Sequence, residues 1–142
     1  MTEEPAGEQA ETFELVIDLS KVRELCKSLG QPLPSEDGAR LPSTFLTTMR
    51  HWITEESDAW RLLGFERSRT LHAGEEYEFP GAPLRIGMRL TGRSRIDRRW
   101  TKENRAGQTM RFATMVTDYR DESDVLVATA RLTGVELPGG GA

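Results

Sequence analysis

The feature that most constrains this chain is a change of hydrophobic period at residue 70. Before it, apolar side chains recur at helical spacing; after it, they alternate. Leu19, Val22, Leu25, Cys26 and Leu29 share one helical face. Asp18 or Ser20 stands where an N-cap is needed, Gly30 stops the helix, and Pro32 and Pro34 forbid its resumption. Phe13–Ile17 ahead of it reads as a short strand. After the Pro- and Gly-rich loop 30–44, Ser43 or Thr44 caps a second helix with a stripe of Phe45, Met49, Trp52 and Ile53. A third helical piece carries Trp60 and Leu63 and ends at Gly64. Four strands follow, the last apolar on both faces near Val125–Ala128, as in a sheet centre. The order gives an α+β single domain, an antiparallel sheet wrapped around a short central helix, with a helical insert.

At 142 residues the chain supports one core, burying roughly two-thirds of its unfolded surface. One cysteine excludes a disulfide scaffold, and with two isolated histidines no metal constellation can be assembled. Cys26 lies on the apolar helix face and reads as core. No apolar run reaches the ~20 residues of a membrane span, and the acidic N-terminus is wrong for a signal peptide, so a cytoplasmic protein without membrane contact is expected.

The net charge of −4 hides an asymmetry. Residues 85–105 hold eight basic residues against Asp97 and Glu103, a local +6 that leaves −10 elsewhere. Glu3, Glu4, Glu8, Glu11 and Glu14 carry no basic neighbour, which predicts a disordered acidic tail over 1–12. The folded domain is then 13–137, with a flexible tail at 138–142. On β-strand parity Met88, Leu90, Ile96 and Trp100 share one face, and Arg89, Arg93, Arg95 and Arg99 the other. A basic strand suits an anionic partner. With Trp100 off the arginine face and a sequence pI of about 5.3, nucleic acid is not that partner. Gly81–Gly87 has the wrong spacing for a phosphate loop, and there is no nucleophile elbow. Leu71, Ala73, Tyr77 and Phe79 alternate with His72, Glu76 and Glu78, which puts His72 on the more polar face of its strand. His51 and His72 have no carboxylate placed beside them by sequence, and read as structural or surface histidines.

Taken in order, Val22–Gly30, Pro42-Ser-Thr-Phe45, Leu71–Phe79, Pro83–Gly87, Met110-Arg-Phe112 and Val127–Arg131 resemble the hotdog fold. More narrowly, they resemble the N-terminal-type domains of MaoC-like hydratase/dehydratases, over about residues 13–136. In catalytic members the segment after the helix resembles Gly-Asp-x-Asn-Pro-x-His. Its Asp and His activate water for addition across an enoyl thioester, or remove it in reverse. Here the segment is Gly30-Gln-Pro-Leu-Pro-Ser-Glu36. Gln31 and Glu36 stand at degenerate dyad positions and Leu33 replaces the Asn, so no catalytic residue is assigned.

The resemblance therefore implies the non-catalytic half of a hotdog pair, a subunit of an (R)-specific enoyl-CoA hydratase or 3-hydroxyacyl-thioester dehydratase. A catalytic MaoC-like subunit would complete a heterodimer or heterotetramer. Phe45, Leu46, Met49, Trp52, Trp60 and Leu63 are the candidates for lining the acyl pocket. Arg89, Arg93 and Arg95 are those for the phosphates of coenzyme A or an acyl carrier protein, which bears the substrate rather than serving as cofactor. Two alternatives stand beside this: a homodimeric hotdog thioesterase or hydratase using Glu36, His51 or His72, and a non-enzymatic acyl-thioester-binding module.

Overall fold

In the computed structural model, which describes residues 2–140, the buried face of one helix decides where everything else lies. Helix α1 (Leu19–Leu29) is capped as its sequence asks. The Asp18 carboxylate accepts the backbone N–H groups of Ser20 at 2.8 Å and Lys21 at 3.3 Å. Gly30 takes the left-handed conformation, φ 67°, that closes the C-terminus and lets Gln31 N–H donate to the Cys26 carbonyl at 2.9 Å. Val22 and Cys26 are buried in a core with Leu15, Ile17, Leu90, Tyr119, Ala128 and Ala130.

The sheet around α1 is antiparallel: β1 (Thr2–Glu4), β2 (Gln9–Val16), β3 (Thr70–Glu78), β4 (Arg89–Glu103), β5 (Thr109–Arg120) and β6 (Leu126–Glu136). Its order is β1-β4-β5-β6-β3, with β2 also paired to β4. The Phe13 ring lies directly on Gly92, where any Cβ would come within 2.3 Å of it. The inner face of the sheet is shared: α1 covers one half and the insert the other. There Ala59 and Leu63 join Ala10, Ile96, Ala113 and Met115 in a second core cluster.

Three expectations change. The acidic segment 1–12 is not a free tail: Thr2–Glu4 and Gln9 onward pair with β4. An unpaired β4 edge would be a liability, and the glutamates bring the matching charge. Glu3 meets Arg98 at 3.2 Å, Glu14 meets Arg89 at 3.5 Å, and Glu8 meets Arg99. The tail 138–142 is described to Gly140, with the remainder outside the described residues.

The insert is 3-10 rather than α-helical, in three pieces: Phe45–His51, Ala59–Leu63 and Arg67–Arg69. Thr44 makes no side-chain cap, and the β-branched pair Thr47-Thr48 does not favour α-helix. A three-residue period buries Phe45 and Thr48 together and leaves Met49 partly buried between the two cores.

The third change is one of parity. A bulge at Asp97 shifts the register between Ile96 and Arg98. Beyond it the faces exchange. Arg99 now pairs with buried Ala113 on the inner face, and Trp100 stacks on Phe112 at 5.3 Å on the outer face. Trp100 therefore shares the side of Arg93 and Arg95 that alternation alone denied it. Its face is already occupied by the Arg98 guanidinium at 4.6 Å from the ring centroid.

Candidate functional site

Between the insert and the inner face of β3, β5 and β6 runs a groove of about 870 Å³. Its floor comes from Met115 and Leu132 on the sheet, and its wall from Met49, Ile53, Trp60 and Phe65 on the insert. The wall is fixed from beneath. The Trp60 ring lies over Gly134, where a Cβ would sit 2.4 Å from it, and meets Phe65 edge-to-face at 5.9 Å. Asp58 accepts the Trp60 N–H at 3.0 Å and starts the turn that presents the indole.

The end of the insert is held by one carboxylate. Glu136, on β6 and almost fully buried, accepts from Arg111 Nε at 2.7 Å and from the backbone N–H of Glu66, and lies 3.6 Å from Arg69. The Arg111 hydrogen bond first, then the Glu66 N–H and the charges of Arg111 and Arg69, hold its carboxyl down to about 2 against burial, which opposes them. The insert is thereby fastened to the sheet beside the groove.

One wall of the groove is polar. His72 Nε2 lies 3.4 Å from Glu75 Oε2, and the Tyr77 hydroxyl donates to the same carboxylate. Residues three apart in a regular strand point to opposite faces. Here Ala73 bulges out of the β3–β6 ladder, so His72, Glu75 and Tyr77 all face inward. Strict alternation put His72 on the polar outer face with no carboxylate near it, and both expectations are corrected. Burial, then the hydrogen bond and charge of Glu75, push the Tyr77 phenol well above its ordinary value. Tyr119 is fully buried beneath α1, its hydroxyl unpartnered and its phenol raised by burial.

The sequence candidates separate. Met49 and Trp60 line the large groove. Phe45 and Leu46 line a smaller cavity of about 330 Å³ with Phe79, Pro83 and Leu84. Leu63 is buried in the insert core, and Trp52 packs against the main core with its Nε1 buried and unpartnered. Gln31 and Glu36 stand exposed in the loop after α1, which Arg23 tethers through the Pro34 carbonyl at 2.6 Å. Neither lines either cavity.

The basic strand, nominated for phosphate, is largely spent on the protein itself. Arg95 pairs with Asp118 at 2.8 Å, Arg89 with Glu14 and Glu122, and Arg93 donates to the Ala10 carbonyl at 3.3 Å. The cations that line the groove are Arg50, Arg61 and Arg67, which the sequence pattern did not single out. Nothing in their spacing marks them, because the three turns that carry them meet only in the fold. The His72–Glu75 pair did have a signal: Gly74 inside a strand marks a bulge. Among the described residues no group of three His, Cys, Asp or Glu is placed to hold a metal, and no helix is long and apolar enough to cross a membrane.

With this geometry in place, the chain can be set beside known proteins. A profile of the FAS1-like dehydratase domain region matches residues 6–130. No curated protein matches. Solved structures do. One is the C-terminally truncated HadBC (3R-hydroxyacyl-ACP dehydratase) complex of Mycobacterium tuberculosis, at 16% identity and TM-score 0.64, covering 95% of this chain and 99% of that one. Another is the ChsH1-ChsH2 complex of the same organism, at 9% identity and TM-score 0.69, covering 94% and 86%. A third is the MaoC-like dehydratase from Rhodospirillum rubrum, at 12% identity and TM-score 0.59, covering 96% and 94%. The fold they share with this chain is the hotdog fold.

Proposed function

The chain belongs to the family of FAS1-like dehydratase domain regions, and from that premise we propose that it is the non-catalytic subunit of a heteromeric (R)-specific enoyl-CoA hydratase or 3-hydroxyacyl-thioester dehydratase. It shapes the acyl-binding groove, and a partner hotdog subunit supplies the Asp/His pair. The observation that carries this is the loop after α1. It holds an amide, Gln31, and a carboxylate, Glu36, both exposed and outside the lining of the two cavities described above. An amide cannot take a proton from water. In the proposed complex the partner's dyad deprotonates water, whose oxygen adds to the β-carbon while a proton goes to the α-carbon. Two of the similar structures, HadBC and ChsH1-ChsH2, are complexes by their own description, which supports a hotdog partner for this chain. β3 is one edge of the sheet, with Leu71 53% exposed on it, and offers a place for such a partner. A cytoplasmic location belongs to this reading, with Cys26 a buried free thiol. The test is hydration of a (2E)-enoyl-CoA by the chain alone and after mixing with a dyad-bearing hotdog protein. Replacing the partner's His should abolish the activity, and Gln31→Ala here should not.

A second reading, a hotdog enzyme acting alone, has one observation in its favour: the His72–Glu75 pair on the groove wall. In that case the isolated chain turns over an acyl thioester, by hydration or hydrolysis, and His72→Ala abolishes the activity.

A further inference from the structure

We propose that Arg50, Arg61 and Arg67 are the anion-binding residues of the groove, holding the phosphates of a phosphorylated acyl-thioester carrier while the acyl chain lies along the apolar floor; the proposal rests on the thioester reading above. The floor of Met115 and Leu132 and the wall of Met49 and Trp60 accept hydrocarbon. The same groove is lined by three guanidinium groups and two carboxylates. Both carboxylates are already engaged: Asp58 accepts the Trp60 N–H, and Glu75 accepts the Tyr77 hydroxyl and faces His72. Among the described residues, no ion pair within 4 Å involves any of the three arginines. Arg61 donates to the Glu55 carbonyl at 2.6 Å and lies within Coulombic reach of Glu56, so it is oriented rather than neutralised.

The contrast with β4 decides the location. The strand richest in arginine spends Arg89, Arg95, Arg98 and Arg99 on Glu14, Asp118, Glu3 and Glu8. A ligand anion there would have to displace these internal partners; in the groove it displaces water and counter-ions. A guanidinium fork matches phosphate or carboxylate oxygens. The three arginines come from three separate turns of the insert. A single carboxylate offers acceptors for one or two such forks, whereas a group with several phosphates offers more.

The probes are coenzyme A, palmitoyl-coenzyme A and free palmitate, titrated calorimetrically into the full chain, alone and with its catalytic partner. Coenzyme A and its thioester should bind, more weakly as salt is raised. The triple variant Arg50→Gln/Arg61→Gln/Arg67→Gln should lose at least about tenfold in affinity for both, with Arg67→Gln alone losing less. Circular dichroism checks that each variant is folded. The assignment is overturned if the triple variant binds coenzyme A like the parent, or if the loss appears with Arg89→Gln and Arg95→Gln instead. It is equally overturned if the arginines matter to palmitate while coenzyme A binds neither the chain nor the complex. The subunit reading fails separately: coenzyme A binding through these arginines, with no hydration by the mixture, sinks that reading and leaves this one. Hydration with an unaltered KM in the triple variant does the reverse.

Discussion

Glu136 concentrates at one residue what holds the insert to the sheet. Glu136→Gln keeps the shape and removes the charge that Arg111 and Arg69 face, and should cost roughly 1–3 kcal/mol in denaturant unfolding. The pH dependence has a definite sign. The folded carboxyl titrates at about 2 against an ordinary 4.5, so its stabilisation is complete above 4.5 and disappears as pH falls through about 2. Melting curves of parent and Glu136→Gln should therefore converge over that interval and stay apart above it. Gly134 makes a second residue-scale test. A methyl there meets the Trp60 ring at 2.4 Å, so Gly134→Ala should push the indole into the groove. A destabilisation of about 1–3 kcal/mol is expected, with weakened ligand binding. Unchanged melting and unchanged affinity would mean that Trp60 does not form the wall as described.

At the scale of elements, α1 was legible in the sequence because its signals are local. Asp18, the apolar spacing and Gly30 each act within one turn, and the helix runs from Leu19 to Leu29 as they dictate. Asp18→Ala removes the cap and should lower the melting temperature of the chain, read by circular dichroism. The strands were legible as strands but their faces were not. Alternation counted through Asp97 and Ala73 misplaces each side chain beyond the bulge, and so Trp100 and His72 were assigned to the wrong side. The insert misled for another reason. Phe45, Met49, Trp52 and Ile53 fit a 3.6-residue period, but a weakly capped, threonine-bearing turn settles into a 3-10 geometry that buries Thr48 instead. The acidic N-terminus was misjudged because its stabilising partner is some ninety residues away, at Arg98 and Arg99. A chain beginning at Gln9 loses β1 together with Glu3 and Glu8. It should melt lower than the parent and be retained longer on a cation-exchange column. Identical melting and retention would show that these residues do not pair with β4.

For the whole molecule, the charge pattern acquires a different meaning from the one composition suggests. The acidic N-terminal segment and the basic strand are assembled against each other across β1, β2 and β4, while the arginines that line the groove stand on the insert. The candidate site was half legible: Met49 and Trp60 were chosen for bulk and spacing and do line the groove. Its arginines and its His72–Glu75 pair were not, since tertiary packing in one case and a bulge in the other bring them there. The groove, the exposed β3 edge and the loop without a water-activating pair are the features on which the proposed subunit reading rests. The most direct measurement is the rate of enoyl-CoA hydration by this chain purified alone, compared with the same chain coexpressed with a hotdog protein that retains the Asp and His. No turnover alone, and turnover in a complex whose mass contains both chains, is the result expected. Hydration by the solitary chain that is lost on His72→Ala would contradict the account.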